Sequence, residues 1–145
     1  MKLLTALALL ACFVLRPPAA EVKADVLLAL YAKIQESDDQ AVLPLLQIAP
    51  EAPPEYVARK LPGFRSFSFI TATNLRGILH GKKLVALAIE EKPGDLDPVI
   101  FVRDGDHFRL LINLTRLRDS GLEKDPVCVQ EMAEIDVWLT KLKGR

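Results

Sequence analysis

The side chains able to do acid, base or nucleophilic chemistry are few in this chain, and they gather at turns. There are two histidines, His80 and His107, and two cysteines, Cys12 and Cys128. A histidine or carboxylate acting as a general base needs a desolvated pocket to tune its pKa. His80 leads into Gly81-Lys82-Lys83 and His107 follows Asp104-Gly105-Asp106, so both read as solvated turn residues. Glu90 and Glu91 end a strand pattern, while Asp95, Asp97, Asp104 and Asp106 fall in loops. Asp38 and Asp39 read as a helix cap. Asp95 and Asp97 begin like a calcium loop, but no further oxygen ligands continue the spacing. Neither a catalytic residue nor a metal ligand is assigned, and no cofactor is implied.

Two weaker patterns remain. Tyr31, Phe69 and Trp138 are the ligand-pocket candidates, although aromatic residues at such spacing more often fill a core. Arg103, Arg109, Arg116 and Arg118 suggest a basic edge. A two-residue hairpin loop at Asp104-Gly105 breaks that edge up, pairing Arg103 with Asp106 and turning Arg109 to the other face. It also sets Phe101 opposite Phe108.

The elements that position these residues follow an export signal. Lys2 precedes Leu3 to Leu15, an uncharged run that is apolar except for Thr5, and Arg16-Pro17-Pro18-Ala19-Ala20 closes it. That is the form of a secretory signal peptide over residues 1–20, too short to remain as a membrane span. Leu9-Leu10-Ala11-Cys12 offers an alternative, a lipoprotein box with Cys12 as the lipid anchor. Phe13-Val14-Leu15 argues against it by continuing the apolar run past the cysteine. Removing Lys2 and Arg16 from 19 basic residues leaves 17 against 19 acids, a net charge of −2. No stretch collects the lysines and arginines that phosphate-backbone binding needs, which argues against a nucleic-acid partner. Cys128 is the one cysteine left after cleavage, so the domain depends on its core rather than on a disulfide.

Residues 21–145 then read as one α+β domain. Val26, Leu27, Leu30 and Ile34, with Tyr31 flanking, predict a helix over 21–36. A second short helix is expected over 40–48, bent or delayed by Pro44. Pro54 opens a short third piece that Pro62-Gly63 should end, completing a 21–63 segment of helices and proline-rich connection. From Phe64 the period changes to two, predicting a curved four-stranded antiparallel sheet over 64–114. Gly77 marks a bulge or bend, Leu84 to Glu91 a strand that is apolar through Ile89 and covered on both faces, and Lys92 to Pro98 a loop. Asp125-Pro126 starts a terminal helix to about residue 143, with Cys128, Met132, Ile135, Leu139 and Leu142 in one stripe and Trp138 beside it. Glu131, Glu134 and Asp136 lie early in it, where acids suit the helix dipole.

Two stretches carry a family resemblance. Val26 to Leu46 is an amphipathic helix, an acidic break and a second apolar helix. Val99 to Leu111 is a strand, an Asp-Gly turn, then aromatic, basic and apolar residues, with Phe108 where tryptophan is common. Over residues 22–114 the chain resembles the nuclear transport factor 2-like superfamily, the cone-shaped fold shared with ketosteroid isomerase. The resemblance implies N-terminal helices packed on a curved sheet. Enzymes of that type carry an aspartate, or a histidine–aspartate pair, inside the cone, and no residue here matches one. The expected function is therefore an exported, non-enzymatic binding or interaction module for a small molecule or protein. A small-molecule isomerase or dehydratase using the cone cavity is the first alternative. A structural accessory protein forming a homodimer through the added terminal helix is the second.

Overall fold

A computed structural model describes residues 21–66, 71–114 and 116–145. Residues 1–20, where a signal peptide is expected, with Cys12 among them, and Phe67 and Phe69 lie outside the described residues. Helix α1 (Ala24–Glu36) leads through an Asp38 cap into α2 (Asp39–Val42) and a 3₁₀ turn (Leu43–Leu45). Strand β1 (Leu46–Gln47), helix α3 (Pro54–Ser66) and strands β2 (Leu75–His80), β3 (Leu84–Lys92), β4 (Asp95–Asp104) and β5 (His107–Leu111) follow. Helix α4 (Pro126–Lys143) closes the chain. The strands form one five-stranded sheet in the order β1-β5-β4-β3-β2.

The class is α+β, as expected, but the sheet is mixed rather than four-stranded and antiparallel. Pro44 confines the second helix to one turn, and Leu46 and Gln47 then pair parallel to Leu110 and Leu111. What reads locally as a bent helix is thus an edge strand. Helix α3 also runs through Pro62 to Ser66, where a break and a strand from Phe64 are expected. Val57 and Leu61 anchor this helix on the core, so it survives the rung that Pro62 removes. Thr71 to Asn74 is a turn rather than a strand. Thr71 Oγ1 donates to Asn74 Oδ1 at 2.8 Å and the Asn74 amide to Thr71 O at 3.1 Å, local bonds that compete with a sheet ladder.

The central strands match the hydrophobic pattern closely. Leu84 to Ile89 is buried throughout, with alternate residues on the two faces. Val85, Leu87 and Ile89 meet Leu27, Tyr31, Ile34, Val57 and Leu61 on one side. Leu84, Ala86 and Ala88 meet Cys128, Ile135 and Leu139 on the other. The sheet is therefore a middle layer between the N-terminal helices and α4. In α1 the buried line is Leu27, Tyr31 and Ile34, and Val26 turns out to solvent, a rotation of the expected stripe.

The loop expected at 92–98 shrinks to Pro93-Gly94, and Asp95, Asp97 and Pro98 join β4. Pro98 is tolerated because β5 pairs with β4 from Phe101 to Asp104 and leaves that end bonded to β3 alone. The last hairpin forms with its loop one residue later than expected. Gly105 takes φ +59 at the first loop position, and Arg103 faces Phe108 while Phe101 faces Leu110. The Arg103 guanidinium stacks 5.4 Å from the Phe108 ring centre, replacing the expected aromatic pair and the Arg103–Asp106 pair. Arg109 bonds Asp104 at 2.9 Å.

The bulge at Gly77 is present, with Arg76 the extra residue between the Leu75–Ile89 and Gly77–Ala88 pairs. A Cβ at Gly77 would lie 3.0 Å from Trp138 Cζ2, so the indole rests on bare backbone. Gly77→Val should displace the chain's one tryptophan and red-shift its emission; an unchanged spectrum would refute that contact.

Helix α4 begins as expected, with Asp125 accepting from the Val127 and Cys128 amides. Lys83 pairs with the same carboxylate and, ahead of those amides, holds its pKa below the usual range. Cys128 is fully buried, and burial first, then Asp125, pushes its thiol up to about 11. The unfolded thiol ionises near 9, so stability is unaffected below that pH and falls as pH rises from 9 to 11. The loss is about 2 kcal/mol, and denaturant titrations of Cys128→Ala at both ends of that window should show it removed.

Candidate functional site

The two described pocket candidates, Tyr31 and Trp138, do not lie together. Tyr31 is buried against the sheet face that holds α1 and α3. Burial first, and Glu91 second, raise its phenol above the ordinary tyrosine range. Trp138 packs on the opposite face, and Phe69 lies outside the described residues. A five-stranded sheet separates Tyr31 from Trp138. The two histidines are also apart: His80 is half-buried, its Nδ1 accepting from the Val22 amide at 3.5 Å, and His107 is exposed at the hairpin.

The four arginines likewise go to different places. Arg103 Nε donates to Gly81 O at 3.0 Å, and Arg109 pairs with Asp104. Arg116 lines a wide cleft of about 710 Å³ beneath α4, beside Leu96, Asp97, Met132 and Lys143. Arg118 belongs to a separate site.

One carboxylate is buried where no local pattern in the chain requires it. Glu131 sits on the buried stripe of α4, 7% exposed. Its Oε1 accepts from the Lys82 amide at 2.8 Å and the Lys83 amide at 3.1 Å, and its Oε2 from the Leu84 amide at 2.9 Å. Three successive N–H groups make a nest of the kind that binds anions, and the protein fills it with its own side chain. The group is committed to structure. Its position i+3 from Cys128 and i−4 from Ile135 was the available signal: an acid on an apolar stripe.

The site with uncommitted polar groups is built around Tyr56. Pro54 starts α3 and sets Tyr56 in its first turn, with Arg59 and Lys60 at i+3 and i+4 on the same face. Both cations lie over the Tyr56 ring, Arg59 at 5.9 Å and Lys60 at 5.6 Å from its centre. The segment 117–121 completes the site from the far end of the chain. Ala49 donates its amide to Asp119 O at 2.9 Å, and Gln47 Nε2 donates to Ser120 O at 3.0 Å. Asp119 adopts φ +64, a left-handed conformation that aspartate tolerates better than most residues, and its amide donates to Glu123 Oε1 at 2.6 Å.

The Tyr56 hydroxyl is covered and has the Asp119 carboxylate beside it, although no hydrogen bond of regular geometry joins them. The cover is thin, because clefts lie on both sides. Burial first and the Asp119 carboxylate second push the phenol up to about 12, so at neutral pH it is a donor and not a base. One cleft, of about 370 Å³, is lined by Ala49, Pro53 and Tyr56 and carries Glu51, Asp119 and Glu123 against Lys124. The other, of about 410 Å³, is lined by Tyr56, Arg59, Lys60, Asn113, Arg118 and Asp119. Tyr56, Arg59 and Lys60 are not among the residues expected at a site, and their i, i+3, i+4 spacing in Glu55-Tyr56-Val57-Ala58-Arg59-Lys60 was the available signal. Asn113, Arg118 and Asp119 carry no such signal, since tertiary structure alone brings them there.

No family model matches the chain, and neither a curated protein nor a solved structure matches it. Among the described residues, no helix is long and apolar enough to cross a membrane.

Proposed function

We propose that the chain is an exported, non-enzymatic binding module of the nuclear transport factor 2-like type, and that it takes its ligand against Tyr56. The carrying observation is the Tyr56 hydroxyl, a covered donor with the Asp119 carboxylate beside it but no hydrogen bond of regular geometry, set between two clefts of ligand size. The family assignment is supported by the order of N-terminal helices followed by the antiparallel strands β2 to β5. Binding is favoured over isomerase or dehydratase chemistry because the phenol holds its proton at neutral pH, while the buried Glu131 carboxylate is already bonded to three amides. The test is amide-shift mapping with a panel of small molecules. Shifts should concentrate at residues 49–60 and 113–124; concentration at the Leu96 and Met132 cleft would refute the site. Export is tested by mass spectrometry of the mature N-terminus. A chain beginning at Glu21 supports secretion, a lipidated Cys12 replaces it with membrane anchoring, and an intact leader refutes both.

A homodimeric accessory role is the second reading. The Cys128 stripe is buried on the sheet, so the expected surface for self-association is taken. Val129 and Val137 on the outer side of α4 are 48% and 55% exposed and favour that face instead. Light scattering that gives a dimer, lost in Val137→Lys, would support it; a monomer would end it.

A further inference from the structure

We infer that the ligand taken at Tyr56 is a small oxyanion, a carboxylate or a phosphate, held on the side of the ring that carries Arg59, Lys60 and Arg118; this rests on the assignment of Tyr56 as the binding position. The two clefts beside the ring differ in sign. Three cations against Asp119 line one, and three carboxylates against Lys124 line the other. A chain whose expected mature charge is negative has placed uncompensated positive charge at one rim.

The cations on that side are available. Arg59 and Lys60 contact the Tyr56 ring and make no ion pair with a carboxylate among the described residues. Arg118 Nε approaches Asp119 Oδ2 at 3.4 Å on a side chain that is 77% exposed, which engages one nitrogen of a guanidinium with five donors. Asn113 adds an amide to the same wall. Paired N–H donors from arginine match the two oxygens of a carboxylate or phosphate, and lysine adds a point charge. The Tyr56 O–H, which lies beside the Asp119 carboxylate, is a further donor once it turns to the ligand. No acceptor-rich neutral ligand would use these groups as fully.

Occupancy of this cleft by an anion makes specific demands. The probes are succinate, its neutral counterpart succinamide, and inorganic phosphate, each titrated into the protein and followed by calorimetry and amide shifts. Succinate or phosphate should bind, weaken as salt rises, and shift amides at residues 56–60 and 113–119. Arg59→Gln and Lys60→Gln should each weaken binding by about tenfold, and Lys143→Gln, in the cleft beneath α4, should leave it unchanged. Both altered side chains reach solvent, and unchanged tryptophan emission verifies folding of each variant. Equal binding of succinamide and succinate at these amides would overturn the oxyanion inference and leave Tyr56 as the binding position. Shifts by all probes confined to other residues would overturn both.

Discussion

Glu131→Ala is expected to lower the unfolding free energy by about 3 kcal/mol, because it strips the acceptor from three backbone amides at once. The cost is not the full sum for three orphaned donors. Lys82 and Lys83 are exposed residues whose amides water can reach once the carboxylate is gone. Leu84 is 1% exposed, so its amide bears most of the penalty. Glu131→Gln should lose less, since its side-chain oxygen still accepts while its NH₂ group opposes a donor. Denaturant titration measures both, and a loss under about 1 kcal/mol for the alanine variant would show that the amides find water freely.

Gly81→Ala is expected to cost a similar amount by attacking the same clamp from the other side. An added Cβ would lie 2.0 Å from Glu131 Oε2 and 2.6 Å from Leu84 O. The side chain can swing away, but the carbonyl belongs to the Gly81 amide's own partner at 2.8 Å and moves with β3. The methyl therefore expels the carboxylate and orphans the amides that Glu131→Ala orphans. The two changes should then combine for less than their sum, with a coupling of at least about 1 kcal/mol in a double-mutant cycle. Full additivity would mean that the glycine and the carboxylate act independently.

Why this clamp was hidden in the sequence is instructive. Asp125-Pro126 announces α4, and the apolar stripe announces its buried face. A glutamate in an early turn of that stripe reads as a partner of the helix dipole. Its true partner is a turn almost fifty residues away. The same limit explains β1: Leu46 and Gln47 become a strand only through pairing with Leu110 and Leu111. Where the determinants are local, the sequence was legible. The unbroken Leu84–Ile89 run marked a strand covered on both faces, and Gly77 marked the bulge. Over the described part of the alternating run, alternation misled at Thr71 to Asn74, because Thr71 and Asn74 satisfy each other in a turn.

The candidate site divides in the same way. Helical spacing places Tyr56, Arg59 and Lys60 together, and that much is readable. Asp119 and Arg118 reach them because the chain after β5 is bonded back to Gln47 and Ala49. Aromatic content alone suggested Tyr31 and Trp138, which proved to serve two separate core layers.

The most direct test of binding at Tyr56 is a crystal structure of the protein grown with succinate. A carboxylate beside the Tyr56 hydroxyl, within hydrogen-bond distance of Arg59, Lys60 or Arg118, is the predicted result. Succinate seated in the cleft beneath α4, with the Tyr56 cleft holding water alone, would contradict it.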